Sequence, residues 1–242
     1  MNYINAYPEN YLLLILMFNC SCPYICCTIC GIILVAFIIL IIMCYLGICK
    51  KLKPKEGEIL DSIVYYYDFI GNFYSISKGA LTFTKIIGKI GKKELREQRC
   101  RYSIFYFDDP SIVEDMNQYR YSIGLFFDKR IVNEELDQQL IKCGLQKAEL
   151  PKSKVLRTSF PFKNWISYYI GASKAWPMLY QKATDCKCNE VIDMKYGGCI
   201  EFCSFHKIQY FLPIENYEKF YITKAPPPKI KKEFLEKLKK KD

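Results

Sequence analysis

A single histidine, His206, stands among 242 residues. A Ser-His-Asp triad or a multi-histidine metal centre would have to be built around that one side chain, and no GxSxG, HExxH or GxxxxGK(S/T) string accompanies it. The run GKIGKK at Gly88 lacks phosphate-loop spacing and reads as a solvated helix face. These absences point away from an enzyme and from a bound cofactor. Charge is missing as well: no Asp, Glu, Lys or Arg occurs from Tyr11 to Cys49, and Lys50, Lys51, Lys53 and Lys55 follow at once. Net positive charge is small in the middle of the chain, which carries +4 over residues 59–223. Of the net +10, the segment 50–58 holds four lysines against two acids and 224–242 holds eight against three. Nothing between them interleaves basic and aromatic residues as an RNA-binding module does, so nucleic acid is not an expected partner.

What is present begins with Tyr24 to Cys49, 26 apolar residues, about 39 Å as a helix and enough to cross a hydrocarbon core of about 30 Å. It reads as a membrane span. YLLLILMF before it is too short to cross alone and is placed at the interface. A two-span hairpin and a cleaved leader are the alternatives, although a leader would lack a basic n-region and a small-x-small site before Pro23. Lysines follow the span and none precedes it, which puts the N-terminus on the lumenal side and the rest of the chain in the cytosol. Cys100, Cys143, Cys186, Cys188, Cys199 and Cys203 are then expected as free thiols. Cys44 and Cys49 are either small apolar residues of the span or acylation sites.

With 51% hydrophobic and 16% aromatic residues, the remainder can supply a sizeable core. Ser62–Asp68 reads as a strand, and Phe83, Ile86, Ile87 and Ile90 recur at helical spacing. Tyr102–Phe107 and Tyr119–Phe127 read as strands around an Asp-Pro turn. The order then repeats. Val155–Phe160 is a strand, Trp165, Tyr169, Ala172 and Trp176 mark one helix face up to an interruption at Pro177, and Val191–Tyr196, Cys199–Ser204 and Ile208–Leu212 are strands. The expected fold is α+β: an N-terminal transmembrane helix, then a duplicated strand-helix-strand-strand domain with pseudo-twofold symmetry and a cleft between its halves. The expected divisions are 1–23 lumenal or interfacial, 24–49 transmembrane, 50–58 basic linker, 59–224 cytosolic domain and 225–242 a Pro/Lys-rich tail.

Gly71-x-Phe73, SIFYFDDP, Phe160-Pro161, Trp176-Pro177-x-Leu179, Ile200-Glu201-Phe202 and Leu212-Pro213 together resemble the gyrase-inhibitor-like (GyrI-like) effector-binding domain. Joined to a lumen-out anchor, that domain is similar to the testis-expressed protein 264 family of endoplasmic reticulum proteins. The resemblance implies a reticulum-anchored adaptor or receptor in selective autophagy, with autophagy or protein-unfolding machinery as partners. This chain departs from the family's long acidic tail bearing an aromatic-x-x-aliphatic motif, since its last residues are basic. The rival reading is a membrane-tethered sensor of a small, cationic aromatic ligand. In the resembling domains a glutamate at the IEF position faces the cleft, which makes Glu201 the expected ligand contact and Tyr66, Tyr106, Trp165 and Trp176 its expected aromatic walls. A solvent-facing Glu201 is the alternative, because strand alternation permits either face.

No metal site is expected: Cys199 and Cys203 on one strand lie about 13 Å apart, too far to share a zinc ion with Cys186, Cys188 and His206. In the tail, Ile230, Phe234 and Leu238 follow three prolines at i, i+4, i+8, a short basic amphipathic helix. Lys239 and Lys240 stand where a cytosolic dilysine retrieval signal to the reticulum would place them. This topology has a direct check. Protease added to intact microsomes should digest residues 59–242, and protection of that segment would reverse both the orientation and the redox assignment.

Overall fold

The computed structural model describes residues 23–90, 95, 100–109, 112–186, 198–204 and 206–233. The expected strand Val191–Tyr196, Cys188, and the tail from Phe234 with Lys239 and Lys240 lie outside them. The chain divides into two units, Met1–Lys50 and Lys51–Asp242.

The first unit holds α1 (Pro23–Tyr45), whose apolar side chains point outward on every side. Its 19 residues Cys27–Tyr45 are long and apolar enough to cross a bilayer, about 29 Å of helix against a core of about 30 Å. The helix stops earlier than hydropathy suggests because Gly47 takes a positive φ of 95° and Ile48 N–H donates back to Met43 O at 3.1 Å. That is a Schellman closure, which a side chain at residue 47 would oppose.

The second unit is an α+β domain on one eight-stranded sheet. Its strands are β1 (Lys55–Ile59), β2 (Ser62–Ile70), β3 (Arg101–Tyr106), β4 (Arg120–Asp128), β5 (Gln146–Leu150), β6 (Ser153–Pro161), β7 (Cys199–Cys203) and β8 (Lys207–Pro213). The spatial order is β1-β6-β8-β7-β3-β4-β2-β5, and every neighbouring pair is antiparallel. β1 and β5, KEGEI and QKAEL, are the two edges and carry alternating charges. Short charged edge strands resist pairing with other chains, and the same charge conceals them from a hydrophobicity pattern.

Alternation sends each strand's side chains to two different cores. On one side, Tyr65, Ile104, Tyr106, Tyr121, Ile123, Phe160, Ile208 and Tyr210 pack under α2 (Ile76–Ile87), α3 (Glu134–Lys142) and α4 (Trp165–Asp185). On the other, Val64, Tyr66, Phe105, Phe107, Phe126, Ile200, Phe202 and Phe211 pack with Phe220, Tyr221 and Ile222. The caps are legible in the sequence. Asn133 accepts from Leu136 N–H with Glu134, Glu135 and Asp137 in the first turn, and Asn164 forms a reciprocal capping box with Ser167.

α4 runs without a break through Pro177, where the sequence pattern suggests an interruption within the helix. Buried Gly171, Ala172 and Ala175 before the proline, and Leu179 and Ala183 after it, press both halves of α4 onto the sheet and offset the missing backbone donor. Gly171 permits that contact: a Cβ there would stand 2.5 Å from the Tyr210 hydroxyl and 2.8 Å from the Phe160 ring.

A buried ion pair ties the C-terminal segment to the sheet. Arg120, 2% exposed, grips Asp108 through Nη2 at 2.6 Å and Nε at 3.0 Å. The same guanidinium donates to Ala225 O at 2.9 Å and to the Tyr221 hydroxyl. Beyond it Lys224 N–H reaches Asp68, and Val113 and Ile230 form a β-bridge. Replacing Arg120 by Met leaves Asp108 buried and uncompensated. The expected loss of stability is about 3 kcal/mol or more, read as a lower urea midpoint by tryptophan fluorescence, with the Asp108→Asn partner change recovering part of it.

Candidate functional site

Glu201 lies at the middle of β7, the strand that joins the two halves of the sheet, with Ile104 of β3 opposite on one side and Tyr210 of β8 on the other. Alternation fixes its face. Ile200 and Phe202 point to the core that holds Phe220, so Glu201 must point to the helix side, where it is fully buried. A carboxylate in such a place loses its hydration and must be repaid by donors or a cation.

The repayment is partial. Tyr106 donates its hydroxyl to Glu201 Oε2 at 2.8 Å, and the Tyr106 and Tyr168 hydroxyls are hydrogen-bonded to each other. Tyr168 and Trp176 also turn donor groups toward the carboxylate and, with Tyr106, favour its ionised form. Oε1 nevertheless has no hydrogen bond of normal geometry, and neither does the buried Tyr210 hydroxyl on the adjacent strand. Desolvation therefore dominates, and the Glu201 carboxyl is pushed up to about 7 from its ordinary 4.5. Burial first, and the Glu201 charge after it, hold the Tyr106 and Tyr168 phenols well above their usual range.

A cavity of about 250 Å³ is lined by Phe73, Tyr106, Tyr119, Trp176, Pro177 and Tyr180 together with Asp108, Asp109 and Cys199; Glu201 does not line it and is linked to it through Tyr106 and Trp176. Its walls come from the turn before α2, the C-terminal ends of β3 and the approach to β4, the start of β7, and the middle of α4. Tyr106 and Trp176 belong both to the wall and to the surroundings of Glu201, with rings 6.0 Å apart at 75°. Phe73 stacks on Tyr106 and Tyr168 at 6.4 and 6.0 Å. Among the described residues no lysine or arginine lines the cavity. Cys199 contacts the Tyr180 hydroxyl at 3.1 Å, and its thiol is pushed up to about 12 by burial, which leaves it an unreactive wall element.

The structure brings Glu201, Tyr106 and Trp176 together and leaves two expected wall residues elsewhere. Tyr66 is on the opposite face of the sheet, because its place in β2 alternates it away from Tyr65; its hydroxyl donates to Ile222 O at 2.6 Å. Trp165 is 69% exposed at the start of α4. The expected helix face, drawn through Trp165 and Tyr169, is turned by about one residue from the face that Gly171, Ala175 and Leu179 bury. Small residues, read as places of close approach, would have located that face. They would also have brought in Tyr168, which sequence reasoning passed over along with Phe73, Tyr119, Tyr180 and Tyr210. Among the described residues no group of three His, Cys, Asp or Glu side chains is arranged to hold a metal ion.

No protein-family model and no curated protein matches the chain. Solved structures do resemble it. The EcmrR C-terminal domain is 12% identical, with 67% of this chain and 96% of that one covered at a TM-score of 0.42. SAV2435 bound to tetraphenylphosphonium is 7% identical, with 69% and 96% covered at 0.41. A hydrolase from Listeria innocua is 11% identical, with 66% and 90% covered at 0.37.

The burial of Glu201 gives a pH signature. A carboxyl whose folded-state value is raised from 4.5 to about 7 favours the folded protein fully below pH 4.5, loses that contribution between pH 4.5 and 7, and leaves a constant deficit above. The deficit is on the order of 3 kcal/mol. The urea midpoint should therefore fall from pH 5 to pH 8, and Glu201→Gln should flatten the decline. A variant that keeps the full decline would assign it to other groups.

Proposed function

We propose that the second unit is a gyrase-inhibitor-like binding module, non-enzymatic, whose cleft takes a small aromatic ligand carrying a positive charge. The observation that carries this reading is the unpartnered Oε1 of a fully buried Glu201, whose neighbours Tyr106 and Trp176 also wall an aromatic cavity. Five rings on the cavity wall, Phe73, Tyr106, Tyr119, Trp176 and Tyr180, offer π-faces worth about 0.5 to 2 kcal/mol each to a desolvated cation. A volume of about 250 Å³ suits one or two fused rings with a compact cationic head rather than a larger drug-sized molecule.

The strand order supports a duplicated origin for this cleft. Exchanging β2, β3 and β4 for β6, β7 and β8, and β1 for β5, leaves the order β1-β6-β8-β7-β3-β4-β2-β5 unchanged when it is read from the other end. Each half also sets a helical glycine against a tyrosine of its last strand, Gly79 on Tyr121 and Gly171 on Tyr210. In this reading the β3-β4 and β7-β8 hairpins are counterparts about a pseudo-twofold axis between β3 and β7.

We further propose that α1 anchors the module in the endoplasmic reticulum membrane with the second unit in the cytosol. The charge step after Cys49 supports this, as do the length and apolarity of the helix. A part in turnover of the reticulum rests on the family resemblance of the motifs around Gly71, Trp176 and Glu201, with ligand occupancy as the signal such an adaptor would transmit.

Benzyltrimethylammonium, a permanent cation, and neopentylbenzene, its neutral isostere, separate charge from shape. Trp176 fluorescence should report binding of the cation, stronger above pH 7 than at pH 5 because binding must displace the Glu201 proton. Glu201→Gln should weaken it about tenfold or more, the loss of one buried ion pair. Equal affinity for the neutral isostere, or unchanged affinity in the Gln variant, would refute the cation reading.

A further inference from the structure

Trp165 is too exposed to serve the cleft, and it is not alone. Its ring lies 5.9 Å from that of Tyr169, which in turn lies 5.9 Å from the ring of Tyr74. Trp165 is 69% exposed and Tyr74 74%, and Ile166 adds an exposed aliphatic side chain beside them. The start of α4 and the turn before α2 thus present one contiguous aromatic patch to solvent. Lys78, in the first turn of α2, and Lys163, just before α4, are exposed as well. Tryptophan and tyrosine with a lysine fringe form the residue set that sits at the headgroup level of a bilayer, where an apolar ring and a polar edge are both satisfied.

We infer that this patch docks on the lipid surface of the membrane that α1 crosses; the inference rests on the anchoring reading of α1 and is independent of the ligand reading of the cleft. Register brings the patch to the correct end of the sheet. β1 and β6 are antiparallel with Lys55 opposite Arg157 and Ile59 opposite Ser153. The chain arriving at Lys55 therefore comes from the side on which β6 continues through Pro161 to Asn164 and Trp165. Only Lys51–Pro54 separate the first unit from β1, at most about 14 Å of chain. Leu52, buried in the helix-side core, holds that short segment against the second unit. A tether of that length bounds how far β1 can move from the end of the first unit. Weak contacts then suffice, since docking is intramolecular and its effective concentration is high. Lys78, with the lysines at 51, 53 and 55, favours an anionic leaflet.

The chain holds two tryptophans, Trp165 and Trp176, which makes the test direct. The full chain is reconstituted in vesicles of phosphatidylcholine and phosphatidylserine, with and without phosphatidylcholine brominated near the carbonyl end of an acyl chain. Brominated lipid should quench the wild-type emission, and Trp165→Ser, a change at an exposed site, should abolish that quenching while Trp176 still emits. Wild-type protein that is quenched by aqueous iodide but not by brominated lipid would overturn the docking and leave the patch to a protein partner. Quenching that survives in Trp165→Ser would overturn it equally, by assigning the contact to Trp176. Alkaline carbonate applied to the same vesicles separates the two premises. A chain stripped from them refutes the anchoring and this inference with it, whereas a chain that stays and is unquenched refutes the docking alone.

Discussion

A carboxylate buried at the centre of an antiparallel sheet constrains everything around it. Glu201 on the joining strand cannot be hydrated, so the residues that can stand near it are limited to donors and to polarisable rings. Tyr106, Tyr168 and Trp176 meet that requirement from β3 and α4, and they still leave one oxygen without a partner. A sheet optimised for stability alone would place an aliphatic residue there. An under-satisfied acid at this position, with its carboxyl pushed up to about 7, costs stability that the proposed cationic ligand would return on binding.

The second unit is arranged to hold that site still. Gly171 lets α4 lie close enough to β6 and β8 for Tyr168 and Trp176 to reach over the strands, and Pro177 places its ring in the cavity wall without ending the helix. Asp108, another wall residue, is locked by Arg120, whose guanidinium also clasps the C-terminal segment at Ala225 and Tyr221. The cavity rim and the C-terminal strand-like segment therefore share one buried ion pair. Disturbing either is expected to be felt by the other, since an unpaired buried charge has no inexpensive resting place.

Much of this was legible before any coordinates. The apolar run before Lys50 stands out by its unbroken apolarity, the central strands and the helices α2 and α4 because burial imposes periodicity, and Glu201 because a lone acid interrupts an apolar strand. The parts that escaped are those where the physics leaves a different trace. β1 and β5 carry charges to protect open edges, and α3 announces itself through Asn133 and its acidic first turn rather than through apolar spacing. Trp165 was drawn into the site because large aromatic residues suggest a core, whereas the face that packs is set by Gly171 and the alanines. Tyr66 shows how narrow the margin is, since one step along β2 carries a residue from one core to the other.

The central claim is that Glu201 is a desolvated acid waiting for a cation, and its own titration tests that most directly. With carboxyl-labelled glutamate, the resonance lost in Glu201→Gln identifies the group in the NMR spectrum of the wild-type chain. The account predicts a midpoint near 7 in the free protein, set by burial, and a fall well below that value when benzyltrimethylammonium saturates the cleft. A Glu201 that titrates near the ordinary carboxylate value of 4.5 and does not move on adding the cation would contradict it.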